Sequence, residues 1–190
     1  MPNRIAPPAR RALRLLLALL AACGGGDDGG TGPGDITLPN GTMTARVNGQ
    51  PWRATFVVQA TVSRQAPNTI SLFQISGVDT VGTGINRPRQ IIVTVAGLGV
   101  ATPGTYQLMG PSGGQTSSGQ GQFTIMSSIW NTAVVPTTSG GTITVTSLTA
   151  ERIAGTFSFT APAAASNPAA DRQPVSITEG EFDIRITAQN

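Results

Sequence analysis

Glu181 and Asp183 stand two residues apart near the end of the chain. On a β-strand that spacing puts both carboxylates on one face, the arrangement from which hydrolysis of a glycosidic bond can be built. Retaining enzymes hold two such groups about 5 to 5.5 Å apart, and the acid partner carries a raised pKa. Glu151, Asp171 and Glu179 are the other acids that could join a pair. The plainer reading is a solvated face, because Phe182, Ile184 and Ile186 alternate with Glu181, Asp183 and Arg185. The solvated face is preferred. The residue types exclude more than they offer: the chain has no histidine, no lysine and one cysteine. Ser-His-Asp, Cys-His and Ser-Lys catalysis each lack a member. Imidazole and multi-thiolate metal sites are excluded, which leaves hard cations on carboxylates and carbonyls. A phosphate-binding loop lacks its lysine. Asp79-Thr80-Val81-Gly82 differs from the aspartic protease loop, where glycine directly follows threonine, and has no second copy. No catalytic residue, cofactor or metal is assigned.

The elements that carry these residues are strands. From Thr42 onward apolar residues recur with a period near two, punctuated by Gly, Pro and Asn, and helical patterns are absent. Strands are expected over Thr42–Val47, Ala54–Ser63, Thr69–Ser76, Gln90–Val95, Thr105–Met109, Gln122–Met126, Thr142–Leu148, Arg152–Thr160, Val175–Thr178 and Glu181–Thr187. Short connections imply antiparallel pairing. The fold class is all-β: one antiparallel β-sandwich or flattened β-barrel of about 8–10 short strands. Val175 and Ile177 occupy odd positions, whereas Phe182, Ile184 and Ile186 occupy even ones. Either a hairpin turn at Glu179-Gly180 or a bulge in one long strand explains that flip. Trp52 and Trp130 could stack on a ligand; the reading preferred is that each caps the core with its indole N–H on a carbonyl. Thr142, Thr144 and Thr146 form a threonine row that reads as an ordinary half-exposed strand. Pro162–Pro174 is expected to be an exposed loop and Gly110–Gly121 a mobile one, and these loops, with the strand ends, are where a ligand would be sought.

The first 22 residues have the form of an export signal: a basic stretch from Met1 to Arg14, an apolar run from Leu15 to Leu20, then Ala21 and Ala22. Leu13 to Cys23 is too short to cross a membrane, which takes about 20 apolar residues. Leu20-Ala21-Ala22-Cys23 resembles the lipobox of bacterial lipoproteins. That resemblance implies cleavage before Cys23, a diacylated sulfur and an anchored mature chain, since two or more acyl chains hold a protein stably on its membrane. As the only cysteine, Cys23 has no intramolecular disulfide partner. Gly24 follows it, where enteric lipoproteins retained at the inner membrane carry aspartate, so the resemblance implies the outer membrane. Residues 23–41 form a Gly-rich tether reaching about 20 to 25 Å. Asp27 and Asp28 are solvating charges on that chain, with no oxygen cage for a metal. The folded domain is 42–190.

The formal charge of +3 misleads, because Arg4, Arg10, Arg11 and Arg14 leave with the signal peptide. Eight arginines then face nine acids, a formal balance of −1. Scattered arginines without lysine offer no track for phosphates, so nucleic acid is excluded as a partner.

Val47-Asn48-Gly49-Gln50-Pro51-Trp52-Arg53-Ala54, Gly104-Thr105-Tyr106-Gln107-Leu108, Gly155-Thr156-Phe157-Ser158-Phe159-Thr160-Ala161 and Ile177-Thr178-Glu179-Gly180-Glu181-Phe182 together resemble a family of uncharacterised bacterial lipoproteins, with the motifs in the same order. The resemblance implies a membrane-anchored envelope protein and no particular activity. Two readings follow: a non-catalytic module, structural or binding a glycan, a peptide or an envelope protein, and a carboxylate-dependent hydrolase of envelope or extracellular glycans drawing on the acids above.

Overall fold

Alternation of apolar and polar residues is realised as strand through most of the described residues. The computed structural model describes residues 38–66, 69–80, 87–97, 99, 101–109, 118–134 and 140–188. Eleven strands are present among them: β1 (Gly41–Val47), β2 (Gln50–Arg53), β3 (Val57–Ala66), β4 (Thr69–Asp79), β5 (Arg89–Ala96), β6 (Gly104–Gln107), β7 (Ser118–Ile125), β8 (Ser128–Asn131), β9 (Gly141–Leu148), β10 (Arg152–Ala161) and β11 (Val175–Ala188). They form a curled mixed sheet, a half-barrel, in the order β6-β9-β10-β11-β3-β4-β5-β7-β8, with the β1–β2 hairpin on β11 beside β3. Leu20, Ala21, Ala22 and Cys23 lie outside the described residues. The ordered domain already includes Leu38–Gly41, assigned above to the tether, since the Asn40 carbonyl accepts from the Arg185 N–H at 2.7 Å.

The all-β class holds, with three differences. Strands β2 and β8 are additional. Asn48 and Gly49 have φ of 50° and 78°, the left-handed pair of a tight hairpin turn, so pairing resumes at once with Val47 opposite Gln50. Second, the sheet is not wholly antiparallel: Ile186, Thr187 and Ala188 run parallel to Ala60, Thr61 and Val62. The cause is the length of β11, whose 14 residues outrun β1 and take β3 as partner for the remainder. Third, the parity flip is a bulge in one continuous strand. Glu179 has φ 51°, and both neighbours shift register there, so Val175 and Ile177 before it and Phe182, Ile184 and Ile186 after it all point into the core.

One apolar cluster fills the curl, with Phe73, Phe123, Met43, Ile75 and Ile91 among its fully buried members. Where β6 meets β7, Met109 bridges Gly119, and a side chain at Gly119 would place its Cβ 2.1 Å from the Gln107 carbonyl oxygen. Trp130 caps the core as expected, donating Nε1–H to the Gln173 carbonyl at 2.8 Å. Trp52 does not: β2 carries it inside, 2% exposed, where its Nε1 has no hydrogen-bond partner. At one end of the domain the buried Asp79 pairs with Arg89 and accepts from the Thr55 hydroxyl at 3.2 Å.

The segment Pro162–Pro174 is the largely exposed connection expected, and it also covers an edge. It lies along β8: Ala164 N–H donates to the Ile129 carbonyl, and the Pro162 carbonyl accepts from Asn131 N–H. Asn167, 2% exposed, completes the cover with its side-chain amide, accepting from Ile129 N–H at 2.9 Å and donating to the Ile129 carbonyl at 2.9 Å. The backbone of Pro162–Ala164 and the Asn167 side chain together stand in for the neighbouring strand that β8 lacks. Ser118–Gly121, expected in a mobile loop, belong to β7.

Candidate functional site: a polar groove on the outer sheet

The inward residues of β1, β9, β10 and β11 belong to the core, so the intervening residues share the outer face. Cross-strand register aligns four of them in one row with Arg53 of β2 and Thr105 of β6: Arg53 opposite Thr44, Thr44 opposite Glu181, Glu181 opposite Thr156, Thr156 opposite Thr144, and Thr144 opposite Thr105. The Thr144 and Thr105 hydroxyls are 2.9 Å apart. Side chains directly opposite in an antiparallel pair stand about 5 Å apart at Cβ. Glu181 is therefore flanked by a threonine on each side.

Two depressions open along this face and share Thr156 and Glu181. The larger, about 460 Å³, is lined by Thr42, Thr44, Arg53, Thr146, Thr156 and Asp183 among others; the smaller, about 370 Å³, by Thr142, Ser158, Glu179 and Gly180 among others. Each lies beside a bulge. Thr146 is the extra residue where Ala154 pairs with Ser147 but Gly155 with Val145, and Glu179 is the bulged residue of β11. A regular pleat packs its outward residues evenly, and an inserted residue breaks that spacing and re-aims the side chains around it.

Ion pairs hold the charges of the groove. Arg152 grips Asp183 with two parallel hydrogen bonds, Nε to Oδ1 at 2.5 Å and Nη2 to Oδ2 at 2.6 Å. Those hydrogen bonds, with the guanidinium charge behind them, hold the Asp183 carboxyl below the usual carboxylate range against the smaller opposing effect of partial burial. Arg46 holds Glu179 at 2.8 Å.

The structure thus brings Glu179, Glu181 and Asp183 to one face and leaves the other two acids apart. Asp171 accepts from the Ser128 hydroxyl at 2.5 Å in the cover over β8, and Glu151 sits exposed in the turn before β10. The solvated face expected for Glu181, Asp183 and Arg185 is observed. Sequence reasoning did not find Thr42, Thr44, Arg53 or Thr156. Their outward parity was legible, but only the register places them beside Glu181. Among the described residues no group of three or more acids, cysteines or histidines is placed to hold a metal ion, and no helix is long and apolar enough to cross a membrane. No family model, curated protein or solved structure matches the chain.

Proposed function

We propose that the chain is a lipid-anchored protein of the bacterial cell envelope, held at the outer membrane through acylated Cys23, whose β domain is a non-catalytic binding module. The leader ending in Leu20-Ala21-Ala22-Cys23 supports the anchor, as does the resemblance to uncharacterised lipoproteins. One observation carries the non-catalytic reading: of the three acids in the groove, Asp183 and Glu179 are engaged by arginines, and Asp183 is biased toward its ionised form. A glycosidase needs one carboxyl biased the other way, so that it can donate a proton near neutral pH. The hydrolase reading retains one point in its favour, the shared face of Glu179, Glu181 and Asp183.

Cys23→Ser is expected to move the protein from the membrane pellet to the soluble fraction, and the mature wild type is expected to begin at Cys23 with two or three acyl chains by intact mass. A mature product beginning at Met1, or a free thiol at Cys23, would overturn the anchor. Release of new reducing ends from glycans, abolished in Glu181→Gln, would replace the binding reading by the hydrolase.

A further inference from the structure

We infer that the groove across β1, β11, β10 and β9 is a binding site for an uncharged saccharide chain, with Glu181 as its central hydrogen-bond acceptor and Thr44 and Thr156 as the flanking groups. The inference rests on the binding reading above and names the ligand class and the site; it does not depend on the lipid anchor.

The groove's polar groups complement a run of sugar hydroxyls. Arg46 with Glu179, and Arg152 with Asp183, form two internally neutralised pairs on this face. Between them run Thr44, Glu181 and Thr156, each opposite the next. Hydroxyls both donate and accept, whereas a carboxylate only accepts. A ligand matching that set must offer donors to Glu181 and mixed donors and acceptors to the threonines, which is what a run of sugar hydroxyls provides.

An anion would meet the Glu181 carboxylate with Arg46 and Arg152 already committed to Glu179 and Asp183, and Arg53, beyond Thr44 at the end of the row, is also engaged. An apolar ligand would strip water from hydroxyls without replacing their hydrogen bonds. Strands lie about 4.8 Å apart, so Thr44 and Thr156 stand about 10 Å apart across the row, and Thr144 and Thr105 extend it. An extended chain crossing the strands fits that run better than a compact ligand does. The groove contacts its ligand through hydrogen bonds on an open face, so the site suits a polymer gripped at several successive units.

The test uses the full chain carrying Cys23→Ser, as wild-type groove and as variants, against an immobilised panel of neutral oligosaccharides (cello-, malto- and chito-series) and acidic ones (uronate-containing and sulfated). Saturable binding to at least one neutral series is expected, about tenfold weaker or more in Glu181→Gln and about threefold or more weaker in Thr156→Val, because a hydrogen bond to a charged group is worth more than one to a neutral group. Thr156→Val keeps the β-branched shape, so an unchanged Tm separates lost binding from lost folding. Gln74→Ala, on the other outer face, should leave binding unchanged. Preference for the acidic series, neutral binding indifferent to both groove substitutions, or no binding to any glycan would each overturn the saccharide site. Specific capture of a protein or peptide from envelope extracts by a chain that binds no glycan would sink this inference while sparing the binding module. Failure of both assays would sink the two together.

Discussion

The two parts of the sheet share one core and differ on their outer faces. Across β3, β4, β5, β7 and β8, the outward positions from Val57 to Ser63 and their cross-strand partners carry Gln59, Gln74, Gln90 and Gln122 with threonines, and no charged residue. Across β1, β2, β9, β10 and β11 they carry threonines together with Arg46, Arg53, Arg152, Glu179, Glu181 and Asp183. Regularity differs in parallel. From β4 through β5 and β7 to β8 the pairing runs without a register shift, and β3 slips against β4 only beyond Ser63, whereas the charged part is interrupted at Thr146 and Glu179. Both depressions lie at those interruptions. The core dictates the inward residues of both parts alike, so what distinguishes them is the outward residues and the bulges that bring those residues into new relations.

The severest way to break this contrast is to add a residue beside the bulge. One alanine inserted between Gly180 and Glu181 is a one-residue slip that sends every later side chain to the opposite face. Phe182, Ile184 and Ile186 would turn outward and Glu181 and Asp183 inward, burying acids without partners. The insertion is expected to abolish the cooperative thermal transition; a variant that still melts cooperatively near the wild-type Tm would show that the bulge can absorb a second residue. A smaller effect is expected on the regular part. Asn167→Ala leaves the Ile129 N–H without its partner, while the Ile129 carbonyl keeps its hydrogen bond from the Ala164 N–H. Unpaired buried groups cost about 1–3 kcal/mol, which should lower Tm by several degrees and expose β8 as an edge prone to self-association, visible by light scattering. Unchanged Tm and scattering would mean that the rest of the segment covers β8 unaided.

Most of the fold was legible in the sequence because burial leaves a period-two trace. The parity change between Ile177 and Phe182 even marked the bulge, although parity alone could not separate it from a hairpin. What parity lacks is register. Nothing local says that Thr44 stands opposite Glu181 or that Arg152 reaches Asp183, because those partners are 137 and 31 positions apart and are brought together by the path of the chain. Four-residue strands such as β8 carry too short an alternation to be recognised. The cover over β8 was missed for another reason: Pro162–Pro174 has the composition of a loop, and a short stretch of backbone with one asparagine amide in place of a strand leaves no periodic signal.

The mildest prediction concerns acid. Arg152 lowers the Asp183 pKa in the folded state, so the folded protein holds that carboxyl's proton less tightly than the unfolded chain, whose value is near 3.9. The stabilisation is therefore complete above about pH 4 and disappears as pH falls through the lower, folded value. Asp183→Asn removes the titrating group, so the Tm difference between wild type and this variant should be flat from neutral pH to about pH 5 and should close below pH 4. The change is expected to be small, because the pair is exposed, with 58% and 44% of the side chains accessible, and salt should shrink it further. Gln122→Asn on the uncharged face removes no titrating group, so its Tm difference should not depend on pH over the same interval. A difference for Asp183→Asn that widens on acidification would reverse the sign argued here, and equal pH profiles for the two variants would remove the electrostatic distinction between the faces at that position.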